Sequence, residues 1–187
     1  IRIHDATLND NHAQYGGAVF WRGEGRLDKQ SCDGWAPARM WQVCEIPCPG
    51  LAGVQREGLL RVANVHLTSA RQMGEDAAAC SRCDDLIEML DAEPEADVIC
   101  GDMNEPYGGP TSVLLMEKGF LDAAVLLQTD LYSTGMKKGR SDQIWIRGEL
   151  APMLTRFHAL PWEWLGARFR GKQYLSDHLC MYIDLTF

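Results

Sequence analysis

The sequence predicts an α/β domain in which β-sheets pack face to face with helices outside them. Three observations carry that expectation. Short apolar runs bounded by glycine, proline or charged residues recur along the chain, as buried strands do. Two stretches between them carry helical spacing or helix-start chemistry. The 187 residues, 46% apolar and 24% charged, suffice for one core, so residues 1–187 are read as a single domain. Strands outnumber helices, which favours sheet on sheet.

In chain order, residues 1–14 read as an irregular, polar lead-in. Tyr15-Gly16-Gly17-Ala18-Val19-Phe20-Trp21 is an apolar run opened by glycine, and reads as a buried strand. Residues 22–38 read as loop. Met40 to Ile46 reads as a strand ended by Pro47 and Pro49. Leu59 to Leu67 is the clearest strand of the first half. Over Glu75 to Leu90, Ala79, Cys83, Leu86 and Leu90 recur at helical spacing, with Glu75 and Asp76 in the first turn. Asp97 to Gly101 is a short apolar strand. Pro110 suits the first turn of a second helix, which Gly119 ends. Residues 141–147 and 178–187 read as strands, and residues 156–175 as a long connection rich in aromatics and arginine. There are no repeats, low-complexity tracts or linkers.

The net charge of −8 argues against broad nonspecific nucleic-acid binding, which rests on neutralising phosphates with Lys and Arg. Lys137-Lys138-Gly139-Arg140 and Arg168-Phe169-Arg170-Gly171-Lys172 can form a local basic groove or be solvated loop charges. No apolar run approaches the roughly 20 residues of a membrane helix. Ile1-Arg2-Ile3-His4-Asp5 lacks the charge and apolar core of a secretory leader, and the absent initiator Met points to a start upstream. The seven cysteines form no even framework. Cys80 and Cys83, or Cys44 and Cys48, lack the further ligands a zinc site needs. They read as reduced, mostly buried thiols of an intracellular protein.

Four short polar motifs, each attached to an apolar run, carry the chemistry. They are Asn64-Val65-His66-Leu67, Gly101-Asp102-Met103-Asn104, Asp142-Gln143-Ile144-Trp145 and Ser176-Asp177-His178. Strands that deliver His, Asp and Asn to one end can assemble a metal-assisted hydrolytic site. Asp102 and Asn104, two apart at a strand end, share one side. The carboxylate can bind Mg²⁺ or orient water, and the amide can donate to a phosphate oxygen. His178, beside a carboxylate, is a natural general base near neutral pH. Asp142 can orient it. His66 can contact phosphate or assist a leaving group. Each residue read alone is equally a turn or strand-end residue; the ordered set is what argues for chemistry.

That set resembles the endonuclease/exonuclease/phosphatase superfamily, whose fold is also that of pancreatic deoxyribonuclease. The resemblance runs from about Tyr15 to the C-terminus. Gly17 to Trp21 is similar to the strand after the family's metal-binding Glu. The four motifs resemble its "N-x-H-L", "G-D-x-N", "D-x-I" and "S-D-H" signatures, and Gly119 to Ala123 has a familial look. The resemblance implies a four-layered sandwich of two packed mixed sheets flanked by helices, with the site at one rim. It implies His178 as general base oriented by Asp142, Asp102 orienting the nucleophile, Asn104 holding phosphate or water, and His66 on the scissile phosphate. Asp177 and Asp102 would contribute to a metal site for Mg²⁺, with Mn²⁺ as substitute.

One departure stands beside it. The family begins with an Asn-bearing strand, a helix, and a strand ending in Gln-Glu, whose Glu is a principal metal ligand. No Gln-Glu occurs here. Asn9, Glu24 and Glu45 lie in other contexts. The expectation is a fold lacking the family's first strands, completed by a missing N-terminal segment or by a partner chain.

Two functions remain open from sequence. One is a Mg²⁺-dependent phosphoesterase using His-activated water on a phosphate ester, nucleic acid among the substrates. The other is a non-enzymatic scaffold or binding domain in a larger assembly. A zinc or redox module built on the cysteines is a third, weaker reading. Trp162 and Trp164 can stack a base or sugar or cap the core.

Overall fold

The computed structural model describes residues 2–5, 18–21, 26–32, 40–51, 58–129, 140–160 and 178–187. Ten strands run β1 (Arg2–Asp5), β2 (Ala18–Trp21), β3 (Arg26–Cys32), β4 (Met40–Pro47), β5 (Leu59–His66), β6 (Val98–Asp102), β7 (Phe120–Asp122), β8 (Asp142–Arg147), β9 (Leu154–Ala159) and β10 (Met181–Leu185). Among the described residues four α-helices are interspersed: α1 (Ala70–Met73), α2 (Glu75–Ala92), α3 (Pro110–Glu117) and α4 (Ala123–Leu126). Six strands form one sheet in the order β3-β4-β5-β6-β8-β7. It is mixed: β5 and β6 are parallel, and the other neighbours are antiparallel. The strands β9 and β10 pair antiparallel, as do β1 and β2.

Alternation along the central strands explains the layers. Val43, Ala63, Val65, Ile99 and Trp145 join Leu86, Met89 and Leu90 of α2 and Leu115 of α3 in one core. Residues one step out of phase, Leu60, Val98, Ile144 and Ile146, join Leu154 and Phe157 of β9 in a second core, with Met181, Ile183 and Leu185 of β10 against it. So α2 and α3 cover one face of the large sheet, and β9–β10 together with α4 covers the other. This is the expected face-to-face α/β arrangement.

Several elements differ from expectation. Residues 2–5 form a strand within the supposed polar lead-in, and Arg26–Cys32 a strand within the supposed loop. β3 is an edge strand, and edges carry charge without losing their ladder. Leu154–Ala159 forms β9, overlapping the start of the supposed long connection. Its buried residues Leu154 and Phe157 are three apart, which hides the strand period. A bulge opposite Asp184 and Leu185 makes this possible. The elements α1, β7 and α4 were not foreseen. Helix α3 ends as expected, with Gly119 in the left-handed region at φ 83°.

On α2 the buried stripe is Ala78, Arg82, Asp85, Leu86, Met89 and Leu90. Ala79 and Cys83, read as inward, are only partly buried. Two charged residues hold the inward positions because hydrogen bonds await them there. The thiols also differ from expectation. Six of them are described as free thiols: Cys44 is buried, Cys48, Cys83 and Cys100 are partly buried, and Cys80 and Cys180 are exposed. Among the described residues, no helix is long and apolar enough to cross a membrane.

Candidate active site

Three strand ends meet at one rim of the large sheet. His66 closes β5 and is the register partner of Asp102, which closes β6. Asp102 is in turn the partner of Asp142, which opens β8. Parallel β5 and β6 bring two C-terminal ends to this rim, and antiparallel β8 brings its N-terminal end. Parity places all three side chains on the face shared with Val98, Cys100 and Ile144, the face that meets β9–β10. His178 arrives just before β10, from the opposing sheet.

His178 Nδ1 lies 2.8 Å from Asp142 Oδ2. Its Nε2 is 4.0 Å from Asp102 Oδ2. His66 Nε2 approaches the same Oδ2 to 3.9 Å. The histidines are open to solvent, with side chains 45% and 36% exposed for His66 and His178, against 19% and 13% for Asp102 and Asp142. A solvent-facing imidazole backed by a sheltered carboxylate is the arrangement a general base requires.

The loop after β6 is shaped by two backbone features. Gly101 has φ 135°, and a Cβ there would stand 1.9 Å from the Val65 carbonyl oxygen; only glycine lets β6 approach β5 this closely. Asn104 has φ 50°. Its N–H donates to Asp102 Oδ1 at 2.8 Å, and its Nδ2 donates to the Leu67 carbonyl at 2.8 Å. Asn104 therefore joins the loops after β5 and β6. That bond uses one of the two Nδ2 hydrogens, and the second N–H and Oδ1 are the groups that the expected hold on phosphate or water needs.

Behind this rim lies a buried polar frame that the sequence reading missed. Arg82 donates to the carbonyls of Thr68 (3.4 Å) and Asn104 (3.1 Å). It also pairs with Glu75 and, at 3.3 Å, with Glu105. Glu105 accepts from the Thr111 N–H (2.8 Å) and hydroxyl (2.5 Å) at the start of α3. Gln143 Nε2 donates to the Glu105 carbonyl at 3.0 Å, and Thr68 Oγ1 to Asp85 at 2.8 Å. A charged pair three apart in the middle of a helix, Arg82 and Asp85, was the available signal. It ordinarily marks a solvated face.

The structure thus gathers His66, Asp102, Asp142 and His178, with Asn104 tied beside them. Asp177, Asn9, Glu24, Trp162, Trp164 and both basic clusters lie outside the described residues, Arg140 excepted. Glu45 sits on β4 opposite Arg61, bonded to it at 2.7 Å, at the far end of the sheet from His66. As potential metal donors, Asp102, Asp142 and His178 offer atoms within 4.8 Å of one another, the one such group among the described residues. Carboxylate oxygens suit a hard divalent cation. Because Asp142 and His178 already bond each other, Asp102 is the donor best placed to hold one. The described cysteines make no such group.

No family model matches the chain, and no curated protein matches its sequence. Solved structures do match in fold. The human Nocturnin catalytic domain, with bound sulfate anion, superposes with TM-score 0.60 at 17% identity, over 92% of this chain and 63% of that one. The endonuclease domain of TRAS1, a telomere-specific non-LTR retrotransposon, gives TM-score 0.60 at 12% identity, over 99% and 80%. An endonuclease/exonuclease/phosphatase family protein from Bacteroides thetaiotaomicron gives 0.57 at 15%, over 91% and 69%. The fold is that of the endonuclease/exonuclease/phosphatase superfamily. Similarity at these identities concerns the superfamily fold alone. The chain spans less than two thirds of the Nocturnin domain.

Proposed function

We propose that this chain carries the hydrolytic centre of a metal-dependent phosphoesterase acting on phosphodiesters. The observation that carries the reading is the His178–Asp142 contact of 2.8 Å, with the other imidazole nitrogen turned toward Asp102. The solved structures of the same fold, an endonuclease domain among them, support this class of chemistry.

In this reading Asp142 accepts from Nδ1–H of His178 and leaves Nε2 as the basic nitrogen. A water beside Nε2 loses its proton to that nitrogen as its oxygen bonds to phosphorus. The P–O bond to the leaving alcohol breaks, and the alcohol oxygen takes a proton from solvent or from His66. Asp102 orients the water, His66 donates to the phosphate, and Asn104 meets a phosphate oxygen with its second Nδ2–H or a water with Oδ1. Asp102, together with Asp177, would hold Mg²⁺, with Mn²⁺ as substitute. When bound, that ion supplies charge neutralisation on the phosphate oxygens. Nucleic acid is the substrate to test first.

The test uses the full-length protein with a chromogenic phosphodiester and a single-stranded DNA oligonucleotide. Hydrolysis that requires Mg²⁺, stops with EDTA and is lost in His178→Ala is the expected result. A folded protein that hydrolyses neither would refute the reading and favour the scaffold role instead.

A further inference from the structure

Arg82 has no exposed surface and lies in the middle of α2, between Ala78 and Met89 of the apolar stripe. Burying a guanidinium there carries a desolvation penalty that only strong contacts offset. Leucine or methionine would fill the position at no such cost. What arginine adds is a rigid fork of donors. Half of that fork meets Glu75 and Glu105. The other half, Nη1, is directed at two backbone carbonyls, those of Thr68 and Asn104.

Those two carbonyls are placed alike. Thr68 is two residues beyond His66, and Asn104 two residues beyond Asp102. One nitrogen therefore ties the loops that follow the two parallel strands of the site. Asn104 is also held in the left-handed region at φ 50°, a strained conformation for a non-glycine residue. Its conformation aims its N–H at Asp102 Oδ1. With Oδ1 occupied in this way, Oδ2 is the oxygen presented to His66 and His178.

We infer that Arg82 is a positioning residue of the hydrolytic site, acting through the Asn104 backbone to set the Asp102 carboxylate. The catalytic half of this inference rests on the phosphoesterase reading; the structural half does not.

The experiment therefore has two arms. Arg82→Lys keeps the charge opposite Glu75 and Glu105 but cannot span both carbonyls. Amide exchange by NMR should show Asn104 and Leu67 exchanging about tenfold faster or more, with Ile99 and Ile146 unchanged. Should that variant fail to fold, Arg82→Met combined with Glu105→Gln removes the charge from both partners and gives the same readout. Unchanged exchange at Asn104 in a folded variant overturns the link. In the activity arm, kcat should fall by about 10–100-fold with KM within about twofold, as expected for a misplaced catalytic group. An unchanged kcat in a variant whose Asn104 amide exchanges faster would overturn the positioning role. A folded wild type with no hydrolysis overturns the phosphoesterase reading alone, and the exchange arm still decides whether Arg82 governs Asn104.

Discussion

Asp102 and Asp142 are direct register partners on adjacent antiparallel strands. Like charges opposite each other on a sheet are destabilising, yet here they cap two central strands. Each has an outlet: Asp142 bonds His178, and Asp102 receives the Asn104 N–H. The pairing concentrates negative potential where two histidines converge, which suits a site for a divalent cation and a water.

Removing either member of the histidine–carboxylate pair should act on rate more than on stability. His178→Ala and Asp142→Asn are expected to slow Mg²⁺-dependent phosphodiester hydrolysis by roughly 10²–10⁴-fold. Melting temperature should stay within a few degrees, because the His178 side chain is 36% exposed. Steady-state kinetics beside thermal melts would check this. Unaltered turnover in either variant contradicts the assignment.

Gly101→Ala should be among the most damaging substitutions in the chain. The new Cβ would lie 1.9 Å from the Val65 carbonyl, at φ 135°. Either β6 separates from β5 or the strand end carrying Asp102 shifts. A loss of about 3 kcal/mol or more is expected, read from urea denaturation. A loss below about 1 kcal/mol would mean that the strands tolerate a wider spacing.

Asp122 and Arg140 form an ion pair, with Nη1 2.7 and 3.0 Å from the two carboxylate oxygens, and both side chains are sheltered. Asp122 also caps α4 through the Val125 N–H at 3.0 Å. Asp122→Ala would strand a buried guanidinium and remove the cap, costing about 3–5 kcal/mol. Replacing both residues by apolar ones should cost less than this single change. Equilibrium denaturation of the two variants decides the order.

The Cys100 thiol is desolvated against the second core, and burial pushes its pKa up to about 11. Burial raises Cys44 in the same direction. At pH 7.5 both should react slowly with a disulfide reagent, whereas exposed Cys80 should react quickly. The sign for stability follows. A folded-state pKa above the unfolded value gives stability that is complete below about pH 8.5. It is lost as pH rises from there through about 11. Cys100→Ala should flatten that alkaline loss. Equal loss in both proteins would show that another group carries it.

Sequence alone determined the central strands and which polar residues stand at their ends. β4, β5, β6 and β8 were legible because buried strands need apolar runs and their ends carry punctuation. His66, Asp102, Asp142 and His178 were legible because polar residues that stop an apolar run mark a strand end. The edge strand β3 was not, since an edge tolerates the charge that a loop also shows. β9 was hidden by a bulge that breaks its period.

Only the tertiary structure decided who meets whom. His178 and Asp142 are 36 residues apart, and their contact exists because opposing sheets close on one another. The parity that puts three strand-end residues on one face depends on register, which no single strand reveals. Arg82 and Asp85 had the pattern of a solvated helix face, and the fold turned them inward. The reason is that burial of a charge depends on the carbonyls and carboxylates waiting for it, and those come from distant loops.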